Sequence, residues 1–171
     1  MMSYNTEQQF LEAREELEYG EISKAKNLFE ELIQDDPQYG RAYNYLGWIY
    51  HKYFSDYDRA WELYEFAIRF APKFPISYLN HAQLLYEMEK FEELNYLLDR
   101  AIKVPGVTKS IILKYYGKLY EHNDNYELAI EYYEKGMKAS TEEEDLMLFE
   151  ESISRCSSKL NAGKRWNTII A

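Results

Sequence analysis

The stretch AYNYLGWIYHKYFSDYDRAWELYEFAIRFAP, residues 42–72, decides the fold. Its first half sets Tyr43, Leu46, Tyr50 and Tyr53 at steps of 3, 4 and 3, which is one face of an α-helix. Phe54-Ser55-Asp56 then reads as a turn, with Ser55 or Asp56 placed to cap a second helix. Tyr57, Ala60, Tyr64 and Ala67 form the inner stripe of that helix, and Pro72 ends it because proline supplies no backbone donor. Two amphipathic helices in sequence make a hairpin, and one hairpin cannot bury both stripes alone.

The pattern recurs along the chain. Residues 77–105 supply Tyr78, His81, Ala82 and Leu85, then Phe91, Leu94, Leu98 and Ala101, closing at Pro105-Gly106. Residues 113–141 supply Leu113, Tyr116, Gly117 and Tyr120, then Tyr126, Ala129, Tyr133 and Gly136. A small residue falls at Gly47, Ala82 and Gly117, in steps of 35 and 35, and the second helices align at Ala60, Leu94 and Ala129, in steps of 34 and 35. A weaker copy precedes them, with Ala13, Gly20, Ala25, Phe29, Leu32 and Pro37. A fixed period of this length means stacked helical hairpins rather than a globule around a catalytic cleft. Helices are expected over 6–19, 22–34, 39–53, 57–70, 75–88, 91–104, 109–123 and 126–139, with Gly47 facing Ala60 and Gly117 facing Ala129 where the axes cross.

After Gly136 the pattern changes. Thr141 and Glu144 have the spacing of a capping box. Leu146, Phe149, Ile153, Cys156 and Leu160 then step by 3, 4, 3 and 4, predicting one amphipathic helix over 142–160 that closes the stack. A tail over 161–171 remains, whose Trp166, Ile169 and Ile170 could supply a contact. Residues 1–5 are expected to be disordered.

Composition narrows the function. Of 171 residues, 46 % are apolar and 18 are tyrosine, so a packed core is expected. The net charge of −10 argues against nucleic acid and against an anionic membrane surface. Residues 1–40 hold ten acidic and three basic side chains, an excess read as a solvated face. Cys156 is single, so no internal disulfide or cysteine metal cluster forms. The start lacks a basic segment followed by an apolar run, and no stretch approaches membrane-spanning length, so a cytoplasmic location is expected.

These residues resemble tetratricopeptide repeats. The second copy matches that family's packing pattern at Tyr43, Leu46, Gly47, Tyr50, Tyr57, Ala60, Tyr64, Ala67 and Pro72, with one extra residue in the turn around Phe54. The fourth departs from it at Thr141 and the third at His81 and Leu94, while the first has Gln9, Glu12 and Glu16 at apolar positions. The resemblance spans roughly 6–141, in repeats of about 6–39, 40–74, 75–108 and 110–141. It implies an all-α, right-handed superhelical solenoid of about four antiparallel hairpins plus the C-terminal capping helix.

The resemblance also implies a scaffold holding a partner protein or an extended peptide in a concave groove lined by the first helices. In this chain the groove residues are Tyr45, Trp48, Asn80, Gln83, Tyr115 and Lys118, with Arg14, Arg41, Lys52 and Lys114 making it mildly basic and His51 and His122 on its wall. The two-carboxylate clamp of chaperone-binding members is not present. In one register its five positions hold Asn44, Trp48, Asn80, Ile111 and Tyr115, of which only Asn80 fits; in the other, Phe10, Arg14, Tyr45, Ile76 and Asn80, none fits.

No catalytic arrangement competes with this reading. The seven glycines form no phosphate-binding loop, and the three histidines come from three different repeats, His81 as a core residue. Neither a catalytic residue, a metal nor a cofactor is expected. Two functions of different class remain: an adaptor or chaperone-like module using the groove, and a structural subunit that self-associates or docks a fixed partner through convex or terminal surfaces. A monomer or a weak homodimer is compatible with both.

Overall fold

The computed structural model describes residues 4–170, with side chains described for residues 5–162. All regular structure among them is helical: α1 Tyr4–Glu18, α2 Ile22–Asp35, α3 Gly40–Ile49, a π-helical turn Tyr50–Phe54, α4 Tyr57–Phe70, α5 Pro75–Glu87, α6 Phe91–Ala101, α7 Lys109–His122, α8 Tyr126–Ala139 and α9 Glu143–Ile170. The chain forms two compact units, Met1–Lys90 and Phe91–Ala171, and the division falls inside the third repeat, between α5 and α6.

In the first unit α1 packs on α2, α2 on α3, α3 on α4, and both α3 and α4 on α5. The stripe of α1 runs through Phe10 and Ala13, both buried, to Leu17, one residue out of register with the polar Gln9 and Glu16 that the repeat pattern places inside. Phe10, Ala13, Ala25, Phe29, Leu32, Tyr39, Ala42, Leu46 and Ile49 form one core. Burying a side chain the size of Phe or Leu in such a core stabilises by about 1.5–3 kcal/mol.

The turn inside each of the four hairpins turns on one left-handed residue. Gly20, Ser55, Glu89 and Asp124 all have left-handed backbone, at φ 82°, 52°, 57° and 56°, in steps of 35, 34 and 35. At Gly20 the next amide, Glu21 N–H, donates back to the Glu16 carbonyl, and Gly20 N–H donates to Leu17; the same paired bonds recur at Glu89 and Asp124. This closes the open carbonyls of the preceding helix. At Ser55 the returning bond runs one residue further, from Asp56 N–H to the Tyr50 carbonyl. The extra residue of the second repeat is therefore absorbed as the π-turn Tyr50–Phe54.

The turns between hairpins also repeat. Asp36 and Ala71 cap α2 and α4 at φ −131° and −129°, each followed by proline. The Tyr43 hydroxyl donates to the Pro37 carbonyl at 3.1 Å, and Tyr78 donates to Pro72 at 3.0 Å. Asp56 caps α4 by accepting from Arg59 N–H, and Asn125 caps α8 by accepting from Leu128 N–H.

In the second unit α7 packs on α8 and α8 on α9, around Ala129, Tyr133, Phe149 and Cys156. Two expectations are corrected here. The glycines at the crossings make room for a tyrosine ring rather than for a facing alanine: a Cβ on Gly47 would meet Tyr64 at 3.0 Å, and one on Gly117 would meet Tyr133 at 2.4 Å. The start of α9 is held by Ser140, not by Thr141 and Glu144. Ser140 Oγ accepts from Glu142 N–H and donates to Asp145. The helix then runs on to Ile170, past the boundary at 160. The side chains of Trp166, Ile169 and Ile170 lie outside the described residues.

Glu121, near the end of α7, ties this unit together. Arg155 of α9 donates to both its oxygens, at 2.7 and 2.8 Å, Lys159 to one at 3.1 Å, and the Tyr133 hydroxyl to the other at 3.0 Å. The Arg155 bonds chiefly hold its carboxyl down at about 2, against burial, with Lys159 and Tyr133 assisting.

Candidate functional site

Three first helices of the first unit contribute to one concave pocket of about 210 Å³. Its walls are Leu17 of α1, Asn44, Tyr45 and Trp48 of α3, and Ile76 and Asn80 of α5. Spacings of three and four residues put the α3 pair Tyr45 and Trp48, and the α5 pair Ile76 and Asn80, on single helix faces.

The aromatic walls are fixed from behind. Tyr45 stacks on Phe29 at 5.5 Å and 15°, and Phe10 meets it edge-on at 5.4 Å. The Arg14 guanidinium lies 5.7 Å from the same ring's centre. Trp48 is half-buried and meets Tyr53 of the π-turn edge-on at 5.5 Å. Ile76 is 43 % exposed, an apolar side chain with one flank on water.

One polar pair interrupts this apolar surface. Asn80 Nδ2 donates to Asn44 Oδ1 at 3.1 Å, joining α5 to α3. Asn44 is 1 % exposed, whereas Asn80 is half-buried. Each amide offers two N–H donors and a carbonyl acceptor. Apart from their mutual bond, these two side chains have no protein partner among the described residues.

The charges near the pocket are already paired. Arg14 holds Glu18 at 3.0 Å, Arg41 holds Glu7 and the Tyr39 hydroxyl, and Lys52 holds Glu87 at 3.2 Å. Glu87 also takes His51 Nε2 at 2.7 Å and Gln83 Nε2 at 2.8 Å. Burial pushes that carboxyl upward, but the bonds from His51, Gln83 and Lys52 outweigh it and leave Glu87 below the usual carboxylate range. The three groove cations expected in this unit are thus members of ion pairs.

Of the six expected groove residues, Tyr45, Trp48 and Asn80 line the pocket together. Gln83, one turn along α5 from Asn80, is committed to Glu87. Tyr115 and Lys118 belong to α7 in the second unit, where Tyr115 is 7 % exposed and the Lys118 ammonium lies 5.3 Å from its ring centre. His51 is buried against Tyr57 and Tyr64 rather than lining a wall, and the His122 ring lies 3.9 Å from that of Phe91, tilted by 31°. His81 is a core residue, between Trp61 and Tyr64 with Glu65 at 3.4 Å.

Sequence reasoning missed Leu17 and Ile76 as pocket walls. Leu17 follows Phe10 and Ala13 at steps of 3 and 4, so its stripe was visible once the register of α1 is moved by one. Ile76 directly follows the helix-opening Pro75 and falls at a clamp position of the repeat register, the signal that could have placed it in the groove. Among the described residues no group of three His, Cys, Asp or Glu side chains is placed to hold a metal ion. No helix among them is long and apolar enough to cross a membrane.

A family model described as tetratricopeptide repeat matches residues 10–73. Compared with curated protein sequences, the chain has no significant match. Among solved structures it is similar to MamA 41-end from Desulfovibrio magneticus RS-1, with a TM-score of 0.74 at 13 % identity over 99 % of this chain and 96 % of that one. It is also similar to TTC0263, a thermophilic repeat protein of Thermus thermophilus, with a TM-score of 0.64 at 18 % identity, covering 91 % and 81 %. The TPR2B domain of yeast Sti1, solved in a complex with pHsp70, gives a TM-score of 0.62 at 22 % identity, covering 70 % and 99 %. At these identities the likeness is one of fold.

Proposed function

From the premise that this is a tetratricopeptide repeat chain, we propose that it is a non-catalytic interaction module that holds an extended segment of a partner protein in the pocket of its first unit. One observation carries the reading. The pocket is apolar, preformed and backed by packed aromatic rings, yet contains an amide pair with donors and acceptors to spare. A few convergent polar groups in an apolar concavity are what a binding site needs, and a peptide backbone offers the matching donor and acceptor. The Sti1 domain in its pHsp70 complex is an instance of this fold serving as a protein-binding scaffold elsewhere.

The test is capture from host lysate, read by mass spectrometry, with wild type against the double variant Trp48→Ala, Asn80→Ala. Far-UV circular dichroism establishes that the variant is folded. A protein retained by wild type and lost by the variant is the expected result. Equal capture by both removes the pocket from the function.

A second reading, a subunit docked through a terminal surface, rests on Met147 and Leu148. They lie side by side on α9, 59 % and 51 % exposed. Light scattering on Met147→Asp, Leu148→Asp against wild type decides it: a wild-type dimer abolished by the change supports the reading, and a wild-type monomer dismisses self-association.

A further inference from the structure

We propose that the segment held in this pocket brings one large apolar side chain between basic, not acidic, flanks. The inference rests on the pocket being the binding site and adds the partner's chemistry.

Size fixes the anchor. A cavity of about 150 Å³ lined by apolar side chains holds a benzene molecule. At about 210 Å³, with Leu17, Tyr45, Trp48 and Ile76 as walls, the pocket has room for one aromatic or long aliphatic side chain. The amide pair Asn44 and Asn80 meets the backbone beside that anchor. A charged anchor finds no counter-ion among the six pocket walls, none of which carries a charge.

Charge fixes the flanks. By residue type, the groove cations of this unit are Arg14, Arg41 and Lys52. Each of the three already holds a carboxylate: Glu18, Glu7 and Glu87. An acidic peptide must displace those carboxylates and leave them nearby as repelling charges. A basic peptide needs to displace nothing, because Glu18 retains 68 % exposure of its side chain and Glu87 34 %. The wider field points the same way. The first unit carries sixteen carboxylates against nine lysines and arginines, net −7. A field of that sign concentrates cationic segments at the surface and speeds their association.

The probe is a phage-displayed library of short random peptides, selected on the full chain. Parallel selections use Trp48→Ala, Asn80→Ala together, and Ile76→Glu alone. The last change is at an exposed side chain, so it blocks the pocket without hollowing the core. Wild type is expected to enrich sequences with one Phe, Trp, Leu or Met flanked by Lys or Arg, and both variants are expected to lose them. In a resynthesised winner, anchor→Ala is expected to weaken binding by about tenfold or more, and exchange of the basic flanks for glutamate by about 5–10-fold at low salt. Winners with acidic flanks that the variants still lose would overturn the proposed chemistry while leaving the pocket as the site. Winners that both variants retain, or no winners at all, would overturn the site and the chemistry together.

Discussion

Replacing Gly117 by alanine tests how closely α7 and α8 approach. Two terms oppose each other. Alanine in place of glycine inside a helix gains about 1 kcal/mol of propensity. Against that, the new Cβ would stand 2.4 Å from Tyr133 Cε1, 2.5 Å from Cδ1 and 2.9 Å from Cζ. The ring cannot swing aside cheaply. Tyr133 is 1 % exposed, packs against Phe149 at 6.4 Å, and donates its hydroxyl to Glu121 at 3.0 Å. Overpacking a closed site costs about 1–3 kcal/mol, and a strained or broken hydrogen bond to a charged acceptor adds about 1.5–3 kcal/mol. The expected net loss is therefore about 1.5–5 kcal/mol, after the propensity gain.

Gly47→Ala is the internal control, since its Cβ would meet Tyr64 at 3.0 Å and Leu63 at 3.3 Å, where a shift of a few tenths suffices. That variant is expected within about 1 kcal/mol of wild type, because propensity and crowding nearly cancel. Urea unfolding followed by far-UV circular dichroism measures both. The double variant Gly117→Ala, Tyr133→Leu is expected to be more stable than the two single losses summed, since the clash is shared. A Gly117→Ala protein as stable as the Gly47→Ala protein would refute the claim that the Tyr133 ring rests on the backbone of α7.

The left-handed turn positions give a reciprocal pair. Gly20→Ala meets nothing within 4 Å, so its expected loss of about 1–2 kcal/mol is the φ +82° backbone alone, while Glu89→Gly is expected to gain about 0.5–1 kcal/mol; urea midpoints check both. Glu121→Gln is expected to destabilise by about 1–2 kcal/mol at neutral pH, below the full linkage value because Arg155 and Lys159 are half-exposed and screened. Its carboxyl is held down in the fold, so the wild-type advantage is complete above the unfolded carboxylate pKa near 4.5 and is expected to vanish as pH falls towards about 2, which urea midpoints across that range would show. Cys156 is fully buried and burial pushes its thiol up to about 11, so the native protein is expected to resist a thiol reagent at pH 8 and to react only on unfolding; prompt native labelling would show that α9 does not pack as described.

Element positions were legible because apolar spacing and turn residues recur together. Residues 57–70 and 126–139 carry both a capping side chain and an uninterrupted stripe, and α4 and α8 occupy those bounds. The inserted residue near Phe54 was also visible as a 35-residue step, but its form was not. Only backbone bonding distinguishes a π-turn from a longer loop, and here Asp56 N–H reaches back to Tyr50. The repeated left-handed position escaped notice because only Gly20 of its four occupants is the residue that conformation favours. Ser55, Glu89 and Asp124 look like ordinary turn residues, and the closing bonds of the turn hold each of them there.

The site was half legible, and its pattern of paired charges and amides was missed for one physical reason. Tyr45 and Trp48 could be placed together because a helical face is a local property, set by steps of three and four, and Asn80 joined them through the repeat resemblance. Charge compensation is not local. Arg41 meets Glu7 across 34 residues, Lys52 meets Glu87 across 35, and Asn80 reaches Asn44 across 36, each distance close to one repeat period. Stacking repeats turns that period into a spatial neighbourhood, so side chains one repeat apart become partners although no helix-face argument pairs them. The same stacking supplies the amide pair and neutralises the cations around it. A groove in this architecture is therefore read correctly only when each residue is considered with the one a repeat away, and here that second reading turns two of the expected groove cations, Arg41 and Lys52, into members of ion pairs.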